Sequence, residues 1–280
     1  MRRRDNWFTK IITTVILLLA LTFFLFPVLW MFITSFKEQA EFFSYPPVFF
    51  PKQIDLRNYI GAMVPPPDGR GGLKSVGDSL IVASATTLIS LLTGSLAAYS
   101  LARYRTGGDN LSFWILSTRM FPPVASALPL FFIFQRLKML DTYPVLIVAN
   151  TIFNLSFVIW MLKGFFEDLP VELEEAALID GCSPFGAFTR VALPLIAPGL
   201  VATALFSFIF TWNEFMFALL LTRRNVRTLT VLVQSLVGGH EILWGQIAAS
   251  GMISIVPCVA LALLLQRYLV RGLTLGAVKG

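Results

Sequence analysis

Residues 175–194 read EAALIDGCSPFGAFTRVALP, and this stretch decides what kind of chain this is. Glu175-Ala176-Ala177 is followed after three residues by Gly181, and nine residues later by Val191-x-Leu193-Pro194. The segment is polar and turn-rich, yet long apolar runs flank it on both sides. Just upstream, Asp168 is placed to cap a helix and Pro170 suits its first turn. Glu172, Glu174 and Glu175 lie where the helix dipole favours acids. Gly181 supplies a left-handed stop, and Leu173, Ala177 and Leu178 share one side at helical spacing. The expectation is a helix of roughly two to three turns lying across a membrane surface. Its acids should occupy one face and its small apolar residues another. Such a shape suits a groove in a partner protein. A helix that merely closed the loop over lipid headgroups would carry basic residues, and these are acidic.

The membrane follows from composition. The chain has 280 residues, 56% of them hydrophobic and only 14% charged. Soluble domains carry roughly 25% charged residues, so a soluble fold is excluded. Runs nearly free of charge cover about 11–36, 79–102, 110–135, 142–165, 195–222 and 242–267. Arg119 interrupts the third and Glu214 the fifth. Each is long enough to cross a bilayer as a helix, and lipid offers the backbone no other hydrogen-bond partner. The predicted fold class is therefore all-α: a polytopic membrane protein with six transmembrane helices and one short helix in the loop 166–194. Phe121-Pro122-Pro123 should break the third span in mid-membrane and expose carbonyls to a cavity.

Arg2, Arg3 and Arg4 precede the first span, and Arg103 and Arg105 lie in a short turn. Both favour a cytoplasmic N-terminus, residues 1–10, and a cytoplasmic tail, residues 271–280. The first apolar run is too long for a signal peptide and offers no small-x-small cleavage site. The loop 37–77 is then external, with Tyr45-Pro46-Pro47 and Pro65-Pro66-Pro67 holding an extended path and glycines at 69, 71 and 72 adding mobility. The net charge of +6 reads as membrane anchoring and not as nucleic-acid binding, because no basic stripe with interleaved aromatics exists. His240 has no second histidine with which to hold a metal, and Cys182 and Cys258 are too differently placed to pair.

The Glu175–Pro194 spacing resembles the signature loop of membrane subunits of ATP-binding-cassette importers, with Val191 where isoleucine is more usual. From Ser117 onward the chain resembles the sugar-uptake, maltose-type branch of these permeases. The carrying segments are NLSFVIWMLKGFFED from Asn154 to Asp168, the signature loop, Trp212-Asn213-Glu214-Phe215, and the glycine-rich end from Arg271 to Gly280. The first hundred residues match by layout more than by motif. The resemblance implies a cytoplasmic coupling helix that contacts an ATPase through Glu174, Glu175, Ala176, Ala177, Asp180, Gly181, Leu193 and Pro194. It also implies a tail that reaches the ATPases through Gly276 and Lys279. The implied partners are a paralogous permease, two ABC ATPase subunits and an external substrate-binding protein, in a bacterial or archaeal plasma membrane. ATP and Mg would be bound in those partner subunits and no cofactor by this chain.

The residues are consistent with that division of labour. No G-x-x-x-x-G-K-[ST] loop is present, so the chain is not expected to be an enzyme and energy must enter elsewhere. Away from the ends of the spans only Arg119 and Glu214 are ionisable, which is few for a self-sufficient secondary carrier, the alternative reading. An intramembrane metalloprotease is disfavoured because no HExxH occurs. A sugar path needs hydrogen-bonding groups and flat aromatic faces inside the bundle. Arg119, Asn150, Asn154, Trp212, Asn213 and Glu214 are the candidates. Against this, the asparagines could bond between helices and Arg119 could pair with Glu214.

Overall fold

The computed structural model describes residues 7–64, 71–237 and 242–275 and is built of helices. It divides into two compact units, residues 1–73 with 233–256, and 74–232 with 257–280. Four helices are long and apolar enough to cross a membrane, and the number rises to six if each of two bent pairs forms one span.

In the first unit, α1 (Trp7–Thr34) is apolar on every side, and none of its apolar window from Lys10 to Thr34 is buried. Such a helix is suited to lipid, where no polar face is required. The segment after it is folded rather than simply extended. A 3₁₀ turn (Gln39–Phe43) and α2 (Arg57–Met63) are tied to the end of α1. The Asn58 amide donates to the carbonyls of Ser35 and Lys37 at 3.0 and 2.8 Å. Lys37 donates to the Val48 carbonyl at 2.7 Å and lies 4.5 Å over the Trp30 ring. Residues 65–67 and 69–70 of the expected Pro/Gly-rich path lie outside the described residues.

In the second unit, α3 (Gly72–Tyr104) starts seven residues before the apolar run that signalled it. The third predicted span divides into α4 (Gly108–Thr118) and α5 (Pro123–Arg136), bent by 83°. Pro122 and Pro123 donate no backbone hydrogen bond and disfavour helical geometry in the residues before them, so the break falls where the sequence placed it. The long helix α6 (Tyr143–Glu167) packs against α4 and the later helices, with Leu146, Ala149, Val158, Leu162 and Phe166 buried. The loop after it holds α7 (Glu172–Ile179). Next come α8 (Pro184–Ala187), a π-helical turn (Phe188–Ala192) and α9 (Leu193–Leu195). They lead into α10 (Ala197–Trp212) through a 77° bend. Gly199 lets α10 approach α6 closely: a Cβ there would fall 2.4 Å from Cγ of Phe165.

The fifth span departs from expectation. The run 195–222 is not one helix, because the chain breaks at Asn213–Phe215 before α11 (Met216–Leu221). The Glu214 carboxylate takes the N–H groups of Phe217 and Ala218 at 2.8 and 3.2 Å, supplying the free donors at the start of a new helix. A short α12 (Leu229–Ser235) precedes α13 (Trp244–Leu275). That last helix extends through Leu275, so the expected tail from Arg271 begins as helix.

Candidate functional site

Two features of the second unit carry chemistry, and they involve different sets of helices. The first is α7. Its helix ends as the sequence requires: Gly181 adopts φ +88° and donates to Leu178 O at 3.1 Å, while Cys182 donates to Ala177 O at 2.9 Å. This is the two-bond Schellman closure, and it needs a residue tolerant of left-handed backbone. The start differs from the expectation. Asp168 does not cap α7; it caps the C-terminal end of α6, its N–H bonded to Gly164 O at 3.0 Å, and Val171 takes the cap position of α7.

Nor do the acids share a face. Glu172 and Glu175 are exposed, but Glu174 is turned inward and 4% exposed. Its carboxylate meets the Arg103 guanidinium at 2.7 Å and accepts a hydrogen bond from the Tyr99 hydroxyl at 2.6 Å. Arg103 also donates to Leu169 O at 3.0 Å. The inner side of α7 is thus bound to the end of α3 by a paired and hydrogen-bonded charge. Outward it shows Glu175, Ala176, Leu178, Ile179 and Asp180, with Phe185 exposed beyond the turn. Ala177 is half-buried; Leu193 and Pro194 open α9 and lie partly or fully exposed. Sequence reasoning missed Arg103 and Tyr99 because nothing local marks a partner 71 and 75 positions away.

The second feature is a cavity of about 220 Å³ lined by Arg119, Pro123, Asn150, Phe153, Asn154, Phe210, Glu214 and Phe217. Four of the six candidates for a solute path therefore come together. Arg119 lies at the α4–α5 break with its guanidinium over the rings of Phe210 and Phe157, at 4.5 and 5.0 Å. It forms no ion pair with Glu214 among the described residues, since that carboxylate is spent on the start of α11. Asn150 donates to Leu146 O on its own helix at 2.9 Å, whereas Asn154 bonds between helices, to Thr211 Oγ1 at 2.7 Å.

The other two candidates lie elsewhere. Trp212 is 2% exposed in an apolar cluster with Phe208 and Leu229, and Asn213 bonds back to Ile209 O at 2.8 Å. Their adjacency to Glu214 in sequence does not survive the break at Asn213–Phe215, where α10 ends and the chain is redirected before α11. The rings of Phe153, Phe210 and Phe217 were missed, because 26 phenylalanines in an apolar chain offer no local sign of which face a cavity. The lining combines flat aromatic faces, two amides, a carboxylate and a cation. Gly276 and Lys279 lie outside the described residues, as does His240. Among the described residues no three His, Cys, Asp or Glu side chains gather to hold a metal.

Known proteins share both the sequence and the fold. Residues 90–275 match the family described as binding-protein-dependent transport system inner membrane component. The trehalose/maltose transport system permease protein MalG of Thermococcus litoralis is 40% identical over 260 residues, covering 91% of this chain and 92% of that one. The trehalose transport system permease protein SugB of Mycobacterium tuberculosis is 36% identical over 260 residues, covering 91% and 93%. A chain from the crystal structure of a bacterial ABC transporter involved in the import of the acidic polysaccharide alginate superposes with a TM-score of 0.73 at 22% identity. The match covers 96% of this chain and 99% of that one, and at this identity it speaks to the fold.

Proposed function

We propose that this chain, which belongs to the inner-membrane components of binding-protein-dependent transport systems, forms half of the translocation path for a di- or oligosaccharide of the trehalose or maltose kind. Its family is one of non-enzymatic permease subunits. In this reading a paralogous permease supplies the other half, and two ABC ATPases that bind ATP and Mg drive the movement. An external binding protein delivers the sugar. The sugar class is supported by one relative named for trehalose/maltose transport and one named for trehalose transport, each about as long as this chain. It is supported also by the cavity's mix of ring faces and hydrogen-bonding groups. Glucosylated polyols and sugar alcohols would fit the same chemistry.

The observation that carries the mechanism is the two-sided character of α7. One side is fixed to α3 through Glu174 and Arg103; the other leaves Glu175, Leu178 and Ile179 exposed, with Phe185 of α8 exposed beyond the turn. A rigidly mounted helix with an uncovered apolar and acidic face is suited to sit in an ATPase groove and pass its motion to the spans. The loop 166–194 then faces the cytoplasm, and with six spans so do residues 1–10 and the tail beyond Arg271.

The test is sugar uptake by the reconstituted complex carrying Ile179→Glu or Glu175→Lys. Uptake should fall below a tenth of the parent's while subunit levels in the membrane stay the same. Normal uptake by both variants would remove the coupling role. Uphill uptake by this polypeptide alone, without ATP, would instead favour a secondary carrier.

A further inference from the structure

The loop that follows α1 turns apolar side chains outward and takes no part in either feature of the second unit. Residues 42–51 read FFSYPPVFFP, with five aromatic rings, three prolines and no charge. Phe43, Tyr45, Phe49 and Phe50 are 71%, 97%, 63% and 74% exposed. Apolar surface concentrated in this way marks a contact with something else.

Polar groups close the loop at its neck. The Glu41 carboxylate accepts the N–H of Glu38 at 3.2 Å on one side and that of Lys52 at 2.9 Å on the other. The Ser44 hydroxyl donates to Glu41 O at 3.0 Å. Two further contacts lay the loop back along α1. Lys37 holds Val48 O at 2.7 Å, and the Phe49 ring meets Trp30 edge-on, with centroids 6.0 Å apart. Trp30 in turn stacks on Phe26 at 6.2 Å. Trp30 lies four residues before the end of α1, about 6 Å along its axis. The 28 residues of α1 are about 42 Å long, the thickness of a bilayer with its headgroups. Trp30 then falls about 14 Å from the helix midpoint, where hydrocarbon gives way to headgroups, and Phe49 lies beside it.

We infer that the loop 42–51 is seated in the lipid interface at the C-terminal end of α1, where it fixes the depth and tilt of that helix. The inference goes beyond the importer reading and does not depend on it, since only α1 need cross the bilayer. Three observations favour lipid over a protein partner. Through the Phe49–Trp30 contact the tip continues the surface of α1, whose apolar window has no buried residue. Glu38, Glu41 and Lys52 stand at the neck while the tip is uncharged, so polar and apolar parts are layered as an interface requires. And the tip offers few groups that could fix the register of a protein. Its three prolines carry no N–H, and the Ser44 hydroxyl is already bonded within the loop. The missing donors also lower the cost of leaving water.

Nitroxide depth measurements on the full chain, assembled in its complex in nanodiscs, test this. Labels are placed at Phe50→Cys and at Gln53→Cys, which is exposed beyond the neck, each in a Cys182→Ser/Cys258→Ser background. Oxygen concentrates in lipid and a nickel chelate stays in water, so the ratio of their collision rates reports the surroundings. That ratio should be several-fold higher at position 50 than at position 53. Few collisions with either reagent at position 50 would overturn the inference in favour of a covering protein. Frequent collisions with the chelate there would overturn it in favour of water. A third label, at Leu29→Cys on the exposed surface of α1, reads the anchoring. Phe43→Asp/Phe50→Asp changes two exposed positions and spares the Trp30 contact. It should draw position 29 toward water and raise its collisions with the chelate several-fold. An unchanged profile at position 29 would overturn the anchoring role. Sugar uptake enters none of these outcomes, so the importer reading stands or falls separately.

Discussion

The carboxylate of Glu174 on α7 lies 2.7 Å from the Arg103 guanidinium at the end of α3, and their side chains are only 5% and 8% exposed. Opposite charges so placed lose their hydration and are held by each other and by Tyr99 and Leu169. Removing one partner strands the other. Glu174→Ala or Arg103→Ala should each destabilise the protein by roughly 3–5 kcal/mol, as breaking a buried pair does, whereas Glu174→Leu/Arg103→Met together should cost much less. Thermal unfolding of the four proteins in detergent checks this. A loss in the double variant equal to the sum of the two single losses would show that no pairing energy is involved.

Gly181 and Gly199 should fail for different reasons. Gly181→Val forces a β-branched residue to φ +88°, a strain on the order of 1–3 kcal/mol at the end of α7, although no atom lies within 4 Å of the new Cβ. Uptake should fall while the spans stay intact. Gly199→Val instead drives a methyl-bearing carbon into the Phe165 ring and should lower the stability of the whole unit. Hydrogen exchange separates the two: a local change confined to 172–194 for the first, a broad one across α6 and α10 for the second.

The cavity sorts the adjacent residues 212–214 into three distinct roles. Trp212→Ala should be strongly destabilising, by about 3–5 kcal/mol, because the ring is buried. Asn213→Ala should be nearly silent, since its amide bonds only its own helix. Glu214→Ala should leave the protein folded but cut uptake, through loss of the carboxylate that starts α11 and lines the cavity. Paired melting and uptake measurements decide each case, and a silent Glu214→Ala would exclude it from the path.

Acid should release the 222–228 connector. Burial works to raise the Asp141 carboxyl, but the N–H donors of Arg223, Asn225, Arg224 and Val226 together outweigh it and hold the group below its ordinary range. A group whose folded-state value is depressed contributes stability above its unfolded value, near about 3.9, and loses it as pH falls through the lower folded value. Protection of the connector's amides should therefore stay level from neutral pH down to about pH 4 and fall below that. Asp141→Asn should abolish this acid-dependent step. An unchanged profile in the variant would assign the transition to another carboxylate.

The sequence by itself determined what local rules govern. Charge-free runs had to be membrane helices because lipid leaves the backbone no other partner, and Pro122-Pro123 had to interrupt the third of them. Gly181 had to stop α7 because the turn requires positive φ, and the Glu-Ala-Ala spacing pointed to the family. Only the tertiary structure decided where polar side chains point. It turned Glu174 inward to Arg103, gave Asp168 to the end of α6 and split the fifth span at Glu214. It also separated Trp212 and Asn213 from the cavity that holds Arg119 and Asn150. The reason is physical. Helix and turn formation depend on neighbours a few positions away, which a sequence displays directly. The partner of a buried charge is chosen by how distant helices pack, as Asp141 beneath Arg223–Val226 shows across more than eighty positions.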